Sequence, residues 1–209
     1  LKEENYTINK VRKFFKLPQI DDDVSQKRKS SRLNVQVLES IKEIDKNLWN
    51  KYFGKEGLSD YDGMLFQESY FQGNEKQEEN WQFRYVVIAD ANGTPIVMTY
   101  FTLSLWKDDT LAPASTSIRI EQIRQKEPYY YTSMVLSIGS LITEGQMIYL
   151  YEKHKDRKKA LDVFFECVDK IDEELEPSMI TLRDFHTDNP ELKKMFFEKG
   201  YVKIDMPDS

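Results

Sequence analysis

The last third of the chain most constrains what it can fold into. From Gln146 to Met206 an apolar strand, a basic loop, an amphipathic helix, a strand ending in Arg-Asp, a capped helix and a final strand follow one another. "QMIYLY", Gln146 to Tyr151, is short, apolar and aromatic, which at that length suits a buried strand rather than a helix. The basic loop "EKHKDRKKA" comes next. From Arg157 onward Leu161, Phe164, Phe165, Val168, Ile171 and Leu175 recur at spacings of three and four, painting one helix face, and Asp156 is placed to cap its start. The helix breaks at Pro177. "SMITLRDF", Ser178 to Phe185, predicts another strand, and the following helix is bounded by Asn189 as cap, Pro190 at its first position and Gly200 as terminator.

The block "ELKKMFFEKGYVKI" resembles the closing motif of the GCN5-related N-acyltransferases (GNAT), in which a helix carrying an aromatic pair runs through a glycine into the next strand. The resemblance spans roughly residues 34 to 206 and is most specific at its end. It implies an α+β, GNAT-like fold: a mixed, mostly antiparallel central sheet of about seven strands flanked by helices. In that family the strand before the long helix leads into a phosphate-gripping loop of pattern Q/R-x-x-G-x-G/A. Alignment on Ala160-Leu161 puts Lys153 at its first position and Asp156 and Lys158 at its two glycine positions. A Cβ at those positions crowds the approach of backbone N–H groups to a pyrophosphate, and Asp adds repulsion. The chain is thus closer to the divergent branch of Fem-type transferases and bacterial lipid N-acyltransferases.

At 209 residues, 40% of them hydrophobic, the chain has enough apolar material for one globular domain with a proper core. A net charge of −6 argues against a nucleic-acid binder that works by general electrostatics, although Lys27 to Arg32 and Lys153 to Lys159 form basic clusters. The lone Cys167 rules out a disulfide framework and points to a reducing compartment. No run reaches the roughly 20 apolar residues of a spanning helix, so a cytoplasmic location is expected. Aromatic residues make up 13% of the chain, which hints at an aromatic-lined groove for an apolar ligand.

Residues 1 to 33 read as a linker or N-terminal extension with one short amphipathic helix at "VRKFFKLP", ahead of a domain over 34–209. The start at Leu1, and a close before the last strand that the family usually adds, suggest a piece of a longer polypeptide. "NVQVLES" predicts a first strand, and Ser40 with Glu43 forms a capping-box signature for a helix bearing Ile44, Leu48, Trp49, Tyr52 and Phe53. "MLFQESYFQ" predicts a second helix, "RYVVIAD" and "PIVMTYFTLSLW" a hairpin about "ANGT", and residues 107–131 a long insertion with a helix near Ser117 to Lys126. "SMVLSIGSLITEG" reads as one further strand.

Attack of an amine on a thioester needs a proton acceptor, a geometry that holds both reactants and donors for the developing oxyanion. The candidate catalytic groups are Glu144 at a strand end, His154 in the basic loop, and Asp184 and His186 beyond the strand at Ile180. Each also has a plain structural reading: a polar turn residue for Glu144, a solvated loop residue or phosphate contact for His154, a backbone-bonded turn residue for His186, and an ion pair for Arg183 with Asp184. Lys153, Lys155, Arg157, Lys158 and Lys159 flank a helix N-terminus, where side-chain charge and the helix dipole favour an anionic donor, unless they are simply solvated. Tyr129, Tyr130 and Tyr131 are candidates to line an acyl or headgroup groove or to supply a phenolic acid for the departing thiolate, unless they are half-buried packing, and Arg183 is a further substrate-binding candidate. No metal-ligand constellation is present, because the two histidines lie far apart and lack cysteine partners.

The resemblance implies an N-acyltransferase that moves an acyl group from acyl-CoA, or from an acyl-phosphopantetheine on an acyl carrier protein, to an amine such as an amino lipid. Similar domains are fused behind PLP-dependent synthases in bacterial sphingolipid-like pathways. Two alternatives stand beside it. One is a Fem-type aminoacyl transferase acting on a cell-wall precursor, which brings a second related domain and a coiled-coil arm. The other is a catalytically silent GNAT-like module that docks a partner or binds a lipid.

Overall fold

The computed structural model describes residues 6–11, 33–55, 57–145, 147–185 and 190–205. It is an α+β protein whose eight-stranded mixed sheet carries helices on both faces. The strands are β1 (Tyr6–Val11), β2 (Asn34–Leu38), β3 (Gln82–Ala89), β4 (Pro95–Lys107), β5 (Thr132–Ile138), β6 (Ile148–Leu150), β7 (Met179–Phe185) and β8 (Val202–Asp205). The helices are α1 (Lys46–Phe53), α2 (Tyr61–Tyr70), α3 (Ala114–Arg124), α4 (Arg157–Leu175) and α5 (Pro190–Glu198). The sheet runs β2-β3-β4-β5-β7-β1-β8, with β6 pairing β4 beside β5. All pairs are antiparallel except β5 with β7.

Successive residues of a strand point to opposite faces, and β4 shows what each face meets. Tyr100 packs against Trp49 of α1, with ring centroids 6.2 Å apart, while its neighbour Phe101 stacks on Phe164 of α4 at 6.1 Å. The α1–α2 layer and the α4–α5 layer therefore sit on opposite sides of the sheet. Phe165 and Phe196, 5.6 Å apart and edge to face, join α4 to α5. The apolar stripe expected on α4 is buried from Ala160 to Ile171, and it includes Cys167, whose thiol burial pushes up.

The local end signals resolve in different ways. Gly200 at φ 83° ends α5, with Tyr201 N–H on the Phe196 carbonyl and Gly200 N–H on that of Phe197, the bonding pattern of a Schellman cap. The Ser40–Glu43 capping box forms with both of its bonds, but it starts a short 3-10 turn, Ile41–Glu43. The helix that carries Leu48, Trp49, Tyr52 and Phe53 is a separate element capped by Asp45, whose carboxylate accepts from Leu48 N at 2.8 Å. Ile44 is the extended residue between them.

Three expectations change. The sheet has eight strands rather than about seven. Tyr6–Val11 is not linker: it is a strand paired with β7 on one side and β8 on the other, and it satisfies two edges that would otherwise be open. The helix expected at "VRKFFKLP" lies almost wholly outside the described residues. Finally, "SMVLSIGSLITEG" is not continuous strand, because β5 ends at Ile138. No helix among the described residues is long and apolar enough to cross a membrane.

Candidate functional site

β5 breaks at Gly139, which takes φ 75° while its N–H donates to the Tyr100 carbonyl at 3.1 Å. The chain then leaves the sheet over residues 140–145, and Met147 is back beside it, its carbonyl accepting from the buried Thr99 hydroxyl at 2.6 Å. β6 resumes antiparallel pairing with β4 at Val97–Thr99. Buried hydroxyls anchor the excursion from below. Ser140 Oγ donates to Gln67 Oε1 on α2 at 2.6 Å, the Tyr100 hydroxyl donates to Thr143 Oγ1 at 3.1 Å, and Ser59 Oγ lies 2.9 Å from the Tyr100 hydroxyl. Burial holds the Tyr100 phenol above its ordinary pKa, so it stays a neutral donor.

The excursion parts the two parallel central strands. β5 pairs with β7 only through Val135–Ser137 and Met179–Thr181, and beyond that β7 is paired with β1 while β6 is paired with β4. At the level of the break β7 carries a bulge, with Arg183 and Asp184 together facing Thr7 of β1. Asp184 adopts φ 59° and accepts from Arg183 Nε at 2.8 Å. Arg183 also donates through Nη2 to the Thr143 carbonyl, tying β7 to the excursion. The pair expected at Arg183-Asp184 is thus an ion pair built into a bulge.

On the α1–α2 side the excursion walls an open hollow of about 440 Å³, lined by Lys55, Gly57, Leu58, Leu141, Ile142, Thr143 and Glu144. Glu144 is exposed there, so a catalytic candidate borders a hollow of a size that can take a small molecule. Gln67 steadies both walls: its Nε2 donates to the Leu58 carbonyl at 2.8 Å, and its Oε1 receives Ser140.

The basic loop behaves differently from a phosphate cradle. His154 N–H donates to the Tyr151 carbonyl at 3.1 Å, Arg157 N–H to the His154 carbonyl at 3.0 Å, and Asp156 N–H to His154 Nδ1 at 3.1 Å. Three backbone donors that would face a pyrophosphate are spent within the loop. Asp156 occupies the N-cap position of α4, but its side chain does not cap. Arg157 lies 3.3 Å from Glu152, while Lys153, Lys155 and Lys158 are exposed and Lys159 is half-buried. The loop offers charge without a backbone nest.

His154 is a brace. Nδ1 accepts from Asp156 N–H, and Nε2 lies 3.5 Å from Asp90 Oδ2 in the β3–β4 turn. Asp90 also accepts from Asn92 N and Thr94 N, and these bonds, first that of Thr94, hold its carboxyl below the usual range. Asp156 N–H and the Asp90 carboxylate thus face the two imidazole nitrogens.

Tyr129, Tyr130 and Tyr131 stand at the wrong end of β5 for this site. They precede Thr132, which pairs with Lys107, and the seven residues of β5 put them roughly 25 Å from the break at Gly139. Their carbonyls, not their rings, do the structural work: Arg124 Nε donates to that of Tyr130 and Nη2 to that of Tyr131. Arg124 also pairs with the buried Asp109 at 2.6 Å and so closes the 107–131 insertion on itself. His186 lies outside the described residues.

Lys55, Leu58, Leu141 and Ile142 were not legible as site residues. The available signal was "GSLITEG", in which two glycines frame an exposed apolar pair, a pattern more typical of a turn than of a strand. Among the described residues no group of three or more His, Cys, Asp or Glu side chains is placed to hold a metal ion. No protein-family model, curated protein or solved structure matches the chain.

Proposed function

We propose that this chain is an N-acyltransferase domain that moves an acyl group from a thioester to an amine by direct attack in a ternary complex. One observation carries the reading. Beyond Thr181, β7 and β6 face each other across the excursion without pairing among the described residues, which leaves backbone edges where an extended, amide-bearing arm can add as a strand does. A phosphopantetheine arm is such a group. In the reaction the amine nitrogen attacks the thioester carbonyl carbon, Glu144 takes the proton from the attacking nitrogen, the C–S bond breaks with the electron pair going to sulfur, and the departing thiolate takes that proton to leave as a thiol.

The loop before α4 favours a carrier-borne donor over free CoA, because the N–H groups of His154, Asp156 and Arg157 are bonded within the loop and Asp156 and Lys158 stand at the glycine positions. The test is thiol release from acyl carrier protein and acyl-CoA in the presence of primary amines. Amine-dependent release, faster with the carrier, supports the reading, and Glu144→Gln is expected to lower it by roughly 10²–10⁴-fold.

The same loop motivates a second reading, a silent module that keeps the fold but has lost the donor grip. Asp156 and Lys158 at the glycine positions are what such a module carries. A folded protein that releases no thiol with any donor and amine decides for it.

A further inference from the structure

We infer that the hollow between residues 55–58 and 141–144 takes a zwitterionic amphiphile, a molecule bearing an amine, an acid group and an alkyl chain. The choice of an amine rests on the acyl-transfer reading. The rest comes from the lining. Lys55 and Glu144 are the two charged side chains of the hollow, and neither makes an ion pair with another described residue. A simple amine attracted by Glu144 would meet repulsion from Lys55, and a simple acid the reverse. A ligand with both charges satisfies both, and the arrangement discriminates against single-charge competitors.

Much of the remaining lining is aliphatic. Leu58, Leu141 and Ile142 are 43%, 44% and 41% exposed, although each is a residue that favours burial. An alkyl chain laid over them removes that surface from water, which is the dominant favourable term in binding a flexible amphiphile. Gln67 bonds both walls, so the aliphatic surface is largely pre-formed. A volume of about 440 Å³ falls within the range of small-ligand pockets.

Isothermal titration with 2-aminododecanoic acid, dodecylamine below its micellar concentration, and alanine tests the assignment. The long-chain amino acid is expected to bind at least about tenfold tighter than either comparison ligand. Lys55→Ala should reduce its affinity to that of dodecylamine, and Leu141→Ser should move it toward that of alanine. Both residues are exposed, so the variants should keep the parent circular dichroism. Equal affinity for dodecylamine or alanine, no binding of the amino acid, or unchanged affinity in both variants overturns the inference. The transfer assay separates the two levels. Binding of the amino acid without thiol release removes the transfer reading and keeps the site, whereas thiol release with amines whose affinity ignores Lys55 and Leu141 removes the site and keeps the transfer.

Discussion

Arg183 on β7 donates through Nη2 to the main-chain carbonyl of Thr143, across the point where the parallel strands part. The bond joins a sheet strand to the excursion that walls the hollow. Its second partner, Asp184, turns the guanidinium toward that carbonyl. Arg183→Met should cost about 1–3 kcal/mol, the penalty of hydrogen bonds lost at a partly buried cation, and should raise amide exchange over residues 140–145. Chemical denaturation with exchange mass spectrometry measures both, and unchanged exchange there would show that the excursion does not depend on this bond.

The backbone at the break makes its own demand. A Cβ on Gly139 would sit 2.9 Å from Met147 Cγ and 3.1 Å from Thr143 Oγ1, at a φ that L side chains rarely adopt. Gly139→Ala is expected to destabilise by about 1–3 kcal/mol, read as a lower midpoint in urea. Asp184, also at positive φ, should tolerate Asn much better than Val, since Asn accepts the left-handed region and a β-branched side chain does not.

Glu68 on α2 is 6% exposed and accepts from Ser40 Oγ, Ile41 N and the Tyr85 hydroxyl at 2.6 to 2.7 Å. These bonds fasten the turn after β2 and the centre of β3 to one carboxylate, and burial, followed by Glu68 itself, pushes the Tyr85 phenol far up. Glu68→Leu should cost about 3 kcal/mol or more, because two buried donors and one half-buried donor lose their acceptor at once. Tyr85→Phe, which leaves Glu68 with two donors, should cost about 1 kcal/mol.

Asp109 gives the insertion its pH dependence. The hydrogen bond from Arg124 holds its folded carboxyl below the unfolded value of about 4. Between those two values the unfolded state binds more protons, so stability rises with pH. The contribution is complete above about pH 4 and is lost as pH falls through the folded pKa. Melting curves between about pH 2.5 and 6 should therefore fall more steeply on the acid side for the parent than for Asp109→Asn.

His154 distinguishes a brace from a base. His154→Ala should lower the melting temperature by several degrees, because it removes the acceptor of Asp156 N–H and a partner of Asp90. It should reduce acyl transfer much less than Glu144→Gln does. A large loss of kcat with unchanged melting would instead make His154 a catalytic group.

The sequence alone determined what depends on neighbours along the chain. The α4 stripe, the Gly200 terminator and the turn at Asp90–Thr94 are set by dihedral preference and by bonds a few residues apart, and each is found where the residues predict it, whereas the Ser40 box forms but starts a 3-10 turn rather than the helix expected of it. The tertiary structure decided the rest. Six residues near the N-terminus, Tyr6–Val11, become a strand because two distant edges need donors and acceptors, and the partner of each edge is not encoded locally. The break at Gly139 turns a predicted continuous strand into the wall of a hollow, since Tyr100, Gln67 and Arg183, each far away in sequence, supply the bonds that hold it open. For the same reason His154, a plausible base by residue type, is a brace: a titratable group takes its role from the direction of its hydrogen bonds, and only the folded chain sets that direction.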